Sequence, residues 1–239
     1  DGGPYRIGQR FGPYVLEAYL GAGSFKSVYR ARVDEADKAM APAGAVEPVE
    51  AVAPAGAVAL GFPHHQDPEG IAELEKEYAA CRRLDHPNIL KVYGLTRQEG
   101  IAFLVMELME GRTLRDLLRE RGWLPMEEAL RCVGQLSEAL GYAHAARVLH
   151  RDVKPENVLL TSDNTPRLTD FGVARVLART GDVASTRVGT VAYMAPEQIN
   201  GAAGTNADLW ALGVTFYELL CGRLPFTGEV GEMIQKIMS

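Results

Sequence analysis

The hydrophobic pattern of this chain changes period once, and that change limits the folds open to it. Up to about residue 106 the apolar residues alternate in short runs: FGPYVLEAYL (11–20), KSVYRARV (26–33), VALGF (58–62), ILKVYGL (89–95) and IAFLVMEL (101–108). Such alternation sends successive side chains to opposite faces of a strand. From Thr113 onward the spacing is helical, in TLRDLLRERG (113–122), PMEEALRCVGQLSEALGYAHAA (125–146) and ADLWALGVTFYELLCG (207–222). One helix interrupts the strands: in PEGIAELEKEYAACRRL (68–84), Ile71, Leu74, Tyr78 and Cys81 fall at helical spacing. Two short strand-like pieces, VLL and PRLT, stand among the later helices. Strands first and helices after predict an α+β chain in two lobes. The small N-terminal sheet lobe with its one helix takes residues 1–109, and the larger, mainly helical lobe takes 110–239.

Residues 39–57 belong to neither pattern. They are almost wholly Ala, Pro, Gly, Val and Glu, and the hexapeptide APAGAV occurs twice, at 41–46 and 53–58. A short duplication that lengthened a strand-to-strand connection explains this, and the composition predicts a flexible insertion without aromatic anchors. The net charge of −6 lacks the dense basic surface that a nucleic-acid partner requires. No stretch approaches the roughly 18 apolar residues of a membrane span, so no membrane contact is expected from this fragment. Cys81, Cys132 and Cys221 are far apart and in no metal spacing. They read as reduced thiols, mostly buried, of a cytoplasmic protein. The chain opens at Asp1 without a methionine and reads as a piece of something longer.

Four motifs stand in order: GAGSFK (21–26) in the first hairpin, HRDVKPEN (150–157) after a helix, DFG (170–172) after a short strand, and APE (195–197) 23 residues beyond that glycine. The set resembles the eukaryotic-type protein kinases. The resemblance runs from about Phe11 to the end of the chain, and it implies a bilobal protein kinase fold using ATP and Mg2+ on a protein substrate. It assigns Asp152 to accept the substrate hydroxyl proton, Lys154 to neutralise the transferring phosphoryl, and Asn157 and Asp170 to hold magnesium. Carboxylate and amide oxygens are the ligand types that magnesium takes. The same resemblance places Leu20, Gly21, Gly23, Val28, Ala59 and Leu159 around the nucleotide. It makes Glu107 and Met109 the hinge, with Met106 controlling the back pocket. Glu77 becomes the partner of the nucleotide-binding lysine, while Glu73 and Glu75 read as a solvated helix face.

The lysine itself is missing from its usual place. Where the pattern reads V-A-x-K on a strand, this chain reads Val58-Ala59-Leu60-Gly61. If Ala59 faces the adenine, position 61 faces the phosphates and offers only a hydrogen. By the same alternation Lys26 shares the face of Val28 on the facing strand, while Phe25 and Ser27 point away. Two strand residues span roughly 6.5 Å and a lysine stem reaches a similar distance, so Lys26 is expected to fill the place that Gly61 leaves empty, at an open cleft. This arrangement is similar to that of the "with-no-lysine" kinases, whose glycine-rich loop supplies the lysine. The halide regulation associated with a leucine in their DFG segment is not carried over, because Phe171 stands here. Lys38 is the weaker candidate, since it lies outside the paired strands.

Arg151, next to Asp152, resembles the arginine that meets a phosphate on the activation segment, here residues 170–197, with Thr180, Ser185 and Thr186 as acceptors. Thr190 and Lys154 agree with the class that acts on serine and threonine. His64 and His65 read as loop residues, and His144 as packing or surface. An arginine partner for Glu197 is expected from later helices, so the C-terminal lobe reads as truncated after Ser239. Two functions stay open: a serine/threonine kinase using Lys26, and a pseudokinase serving as a nucleotide-binding or scaffolding module. Gly61 and the interrupted loop favour the second; intact Asp152, Asn157 and Asp170 favour the first.

Overall fold

Phe62 is the ring on which the first part of the chain closes. Its centroid lies 4.4 Å from that of Tyr5, 4.9 Å from Phe11, 5.1 Å from Phe103 and 5.7 Å from Tyr29. These rings come from separate segments of chain, so their burial draws the strands into one sheet. A computed structural model describes residues 3–23, 25–34, 56–171, 188–202 and 204–239. They form two compact units, one within residues 1–85 and 90–109, the other within 86–89 and 110–239.

The first unit carries six antiparallel strands: β1 (Arg10–Phe11), β2 (Tyr14–Ala22), β3 (Lys26–Val33), β4 (Ala57–Pro63), β5 (Val92–Gln98) and β6 (Ile101–Met106), in spatial order β1-β2-β3-β4-β6-β5. Alternation sorts the two faces. Tyr29, Ala31 and Val33 of β3 and Val58, Leu60 and Phe62 of β4 join the aromatic core. Their strand neighbours Lys26, Val28, Ala59 and Gly61 therefore take the opposite face. Register sets Val28 against Gly61 and Lys26 against Pro63.

Helix α1 (Pro68–Cys81) starts where Asp67 accepts from the Gly70 amide at 2.8 Å and Pro68 occupies the first turn. Its buried residues, Leu74, Glu77 and Cys81, recur at helical spacing, so a carboxylate sits inside an otherwise apolar stripe. Residue 57, expected at the edge of the Ala/Pro insertion, instead opens β4, paired with Arg32. The rest of that segment, 39–55, lies outside the described residues.

The second unit holds α2 (Leu114–Arg121), α3 (Met126–Ala145), strands β7 (Val158–Leu160) and β8 (Pro166–Leu168), α4 (Val188–Val191), α5 (Pro196–Ile199), α6 (Thr205–Cys221) and α7 (Val230–Met238). Thr113 and Asp116 cap α2 reciprocally. Buried residues of α3, among them Leu136, Ala139, Leu140 and Ala143, and of α6, among them Ala211, Leu212 and Leu219, supply its core. Residues 86–89 join this unit although they precede β5, because Asn88 holds both ends of β8. Its carbonyl accepts from Leu168 N and its side chain donates to Pro166 O, each at 2.8 Å. A strand expected over 89–95 is accordingly displaced to Val92–Gln98.

Phe62→Ala is expected to destabilise the first unit by about 3–5 kcal/mol and Phe62→Leu by clearly less, since the cost follows the cavity left among the rings. Denaturant titration followed by near-UV circular dichroism measures both.

Candidate functional site

The backbone of the glycine-rich hairpin closes through Gly23 N–H to Lys26 C=O at 2.9 Å. Gly21, at φ 146°, adopts a conformation that side chains resist. Leu20 beside it is 49% exposed, and Val28 is half-buried. From this hairpin Lys26 turns inward. It is 4% exposed, and its ammonium forms an ion pair with the carboxylate of Glu77, itself 3% exposed. The stem crosses the face of β4 at Gly61. A Cβ added to Gly61 would lie 3.1 Å from Lys26 Cδ and 3.0 Å from Met106 Cε. A side chain at 61 and the Lys26 stem thus compete for one space.

The other described lysines of this unit point elsewhere: Lys76 bonds Glu73 and Lys91 bonds Asp85, both on the surface. Glu75 is exposed, as a solvated helix face requires. The expectation of an open cleft around Lys26 is corrected: the lysine is buried on the face of β3 and β4, against the buried Glu77 of α1. Ala59 is 5% exposed, while Glu107 and Met109 are half-buried. The Glu107 amide donates to Lys91 C=O at 2.9 Å.

In the second unit the HRDVKPEN loop is folded around Asp152. Lys154 Nζ donates to Asp152 Oδ2 at 2.6 Å and Oδ1 at 2.9 Å, and reaches Thr190 Oγ1 at 3.1 Å. The Asn157 side-chain nitrogen donates to Asp152 Oδ2 at 2.9 Å and to its carbonyl at 2.8 Å. Thr169 N–H donates to Asn157 C=O at 3.0 Å, which sets Asp170 beside Asn157. Leu159 lies between them in sequence on β7, half-buried and paired with Arg167.

With its nitrogen engaged by Asp152, Asn157 has its amide oxygen to offer a cation, and Asp170 adds a carboxylate. Among the described residues no group of three or more His, Cys, Asp or Glu could hold a metal alone. Few protein oxygens suit Mg2+, which keeps water and phosphate oxygens as its other ligands. The residues fit that ion.

Two groups hold this loop: Asp208, which lies outside the motifs, and His150, the first residue of HRDVKPEN. Asp208, buried in the first turn of α6, accepts from His150 N at 2.9 Å, Arg151 N at 2.6 Å and His144 Nε2 at 2.8 Å. An acidic residue at the head of an apolar helix is the signal in the sequence. His150 is fully buried; its Nδ1 accepts from Asp152 N at 3.2 Å, so Nε2 carries the proton donated to Thr169 O at 2.9 Å. Burial pulls the His150 pKa down, against the nearby carboxylates of Asp208 and Asp152, which favours the neutral ring. Arg151 and Asp170 adopt φ of 68° and 65°, values costly for residues with a Cβ, on either side of Asn157. Thr180, Ser185, Thr186, Lys38 and the glycine of DFG lie outside the described residues.

A sheet unit with one helix, a helical unit, and this Asp–Lys–Asn–Thr cluster together define a protein kinase domain. Residues 56–239 match the family described as Protein kinase domain. The chain is 35% identical over 226 residues to the serine/threonine-protein kinase PrkC of Bacillus subtilis, covering 93% of this chain and 33% of that protein. It is 35% identical over 219 residues to the serine/threonine-protein kinase PknL of Mycobacterium tuberculosis, covering 90% of this chain and 51% of that protein. A probable serine/threonine-protein kinase of Clostridium perfringens, CPE1738, is 32% identical over 222 residues, 90% of this chain and 30% of its own length. The chain therefore belongs to the protein kinase family, as a eukaryotic-type serine/threonine kinase domain with the bilobal α+β fold. It spans from about a third to about half the length of these relatives. Among the described residues no helix is long and apolar enough to cross a membrane.

Lys26→Met is expected to cost about 3–5 kcal/mol, because it leaves Glu77 charged and buried without its cation. Lys26→Met with Glu77→Leu should recover most of that loss. Chemical denaturation of wild type and both variants checks the order.

Proposed function

We propose that the chain transfers the γ-phosphoryl of Mg2+-bound ATP to serine or threonine of a protein, with Lys26 in the role of the usual strand lysine. The observation that carries the reading is the Lys26 stem lying where a side chain at Gly61 would be, with its ammonium on Glu77. The pair fixes a positive charge on the face of β3 and β4 that also presents Val28 and Ala59. Charge held in place ahead of the reaction is what phosphoryl transfer requires of a protein.

Leu20, Gly21, Gly23, Val28, Ala59 and Leu159 are assigned to the nucleotide, with backbone groups of Glu107 and Met109 at its base edge. Asn157 and Asp170 would hold Mg2+, which draws phosphate charge away from the transferring group. Asp152 takes the hydroxyl proton of the acceptor. Lys154, bonded to both Asp152 and Thr190, holds these two side chains at a fixed separation and brings a cation to the same place. The serine/threonine assignment rests on that Lys154–Thr190 contact and on the relatives' names. Arg151 is the proposed anchor for a phosphate on 180–186: its guanidinium Nε is buried and has no hydrogen-bond partner among the described residues. Cys132 and Cys221 form no disulfide, which supports a reducing, cytoplasmic setting.

The pseudokinase alternative is supported by Gly61 and by the interrupted glycine-rich loop, and the ion pair on Glu77 weakens it. Lys26→Ala should lower transfer, measured per folded molecule, by on the order of a hundredfold or more, as when other transition-state charges are lost. Gly61→Lys alone should not raise activity, since its stem meets that of Lys26. Lys26→Gly combined with Gly61→Lys should exceed Lys26→Ala in both transfer and melting temperature, because Glu77 regains a cation. Magnesium-ATP transfer assays on the full-length protein decide. Nucleotide binding by the wild type without any transfer would establish the pseudokinase instead.

A further inference from the structure

One guanidinium in the second unit joins four elements that the proposed chemistry needs in register. Arg115, on the first turn of α2, donates from Nε to Glu156 Oε1 at 2.8 Å, from Nη1 to Glu218 Oε1 at 2.7 Å, and from Nη2 to Glu218 Oε2 at 3.1 Å and Tyr193 Oη at 2.5 Å. The Tyr193 hydroxyl in turn donates to Glu218. The Arg115 side chain is 17% exposed and that of Glu218 7%, so the fork is mostly withdrawn from water. Such a fork fixes direction as well as distance, which a single ammonium does not.

The partners lie on the two sides of Asp152. Glu156 belongs to the turn Pro155–Asn157, two residues after Lys154 and next to Asn157, both of which bond Asp152. Tyr193 follows α4, and its amide donates to Thr190 C=O at 3.2 Å, while the Thr190 hydroxyl accepts from Lys154. Arg115 therefore ties the loop that carries Asp152 to the segment that carries Thr190, through hydrogen bonds it makes to both, with Glu218 of α6 as the fixed post. In the sequence Arg115 is one charge among several on a helix.

We infer that Arg115 is a positioning residue for phosphoryl acceptance: it sets the distance between the Asp152–Lys154 pair and the Thr190 segment without touching nucleotide or acceptor. The inference rests on the kinase reading above. It separates Arg115 from Lys26, because the lysine acts on the nucleotide side and the arginine on the acceptor side.

The test uses the full-length protein with magnesium-ATP and an acceptor peptide that the wild type phosphorylates. Arg115→Met should lower kcat by about tenfold to a hundredfold, as displacements of about an ångström do, with ATP affinity within twofold of wild type. Arg115→Lys should recover part of the loss, since an ammonium meets one carboxylate but cannot fork. Tyr193→Phe should lower kcat in the same direction by a smaller factor. Arg115→Met leaves Glu218 buried without its cation, so Arg115→Met with Glu218→Gln provides the control for folding. Melting temperature restored in the double variant while kcat stays low supports positioning. Recovery of kcat together with melting temperature, or wild-type kcat in Arg115→Met, overturns it. Absence of transfer in the wild type would instead refute the kinase reading.

Discussion

A carboxylate buried in the stripe of a helix has to be met by a cation, and in this chain the cation comes from the far strand. Glu77 lies between Leu74 and Cys81 in the buried stripe of α1, away from water. That requirement organises the face of the sheet around it. Lys26 has to point inward, position 61 has to be small, and Met106 closes on the same space. Lysine at 26 and a side chain at 61 crowd each other, since a Cβ at 61 would lie 3.1 Å from Lys26 Cδ. Buried ion pairs seldom raise stability over apolar residues of the same size. What the pair supplies is an ammonium of fixed position, and this is the basis for assigning Lys26 to the nucleotide phosphates.

The second unit solves a different problem, the stabilisation of a loop with costly backbone angles. Arg151 and Asp170 each hold a positive φ, worth about 1–3 kcal/mol of strain apiece. Asp208 offsets part of this by taking two backbone amides and His144 onto one buried carboxylate. His150, neutral through burial, spans from Asp152 N to Thr169 O and so joins the loop to the end of β8. The Asp152, Lys154, Asn157 and Thr190 side chains then bond one another and depend little on solvent.

Much of the fold is legible in the amino-acid sequence, because periods of 2 and 3.6 are visible in the strands and in α1, α2, α3 and α6. The short helices α4 and α5 are not, since four residues hold barely one turn, too few for a period to show. Residues 86–89 depart from the sequence pattern for a tertiary reason, the pairing of Asn88 with β8. At the candidate site, strand alternation places Lys26 with Val28, and the resemblance to the protein kinases names Glu77 as its partner. The burial of Lys26 is not legible in this way: alternation names a face but does not say what covers it. Arg115 and Glu218 stay hidden because they are 103 residues apart in sequence. Nothing local marks such a pair.

The central claim is that Lys26 serves the nucleotide phosphates. An acyl-phosphate derivative of ATP, which transfers its acyl group to whichever lysine lies at the phosphates, tests it most directly when labelled sites are located by peptide mass spectrometry. Acylation of Lys26, suppressed by excess magnesium-ATP, is the result expected. Labelling of Lys38 or another lysine in its stead, with Lys26 unmodified under conditions where ATP protects the labelled site, would contradict the account.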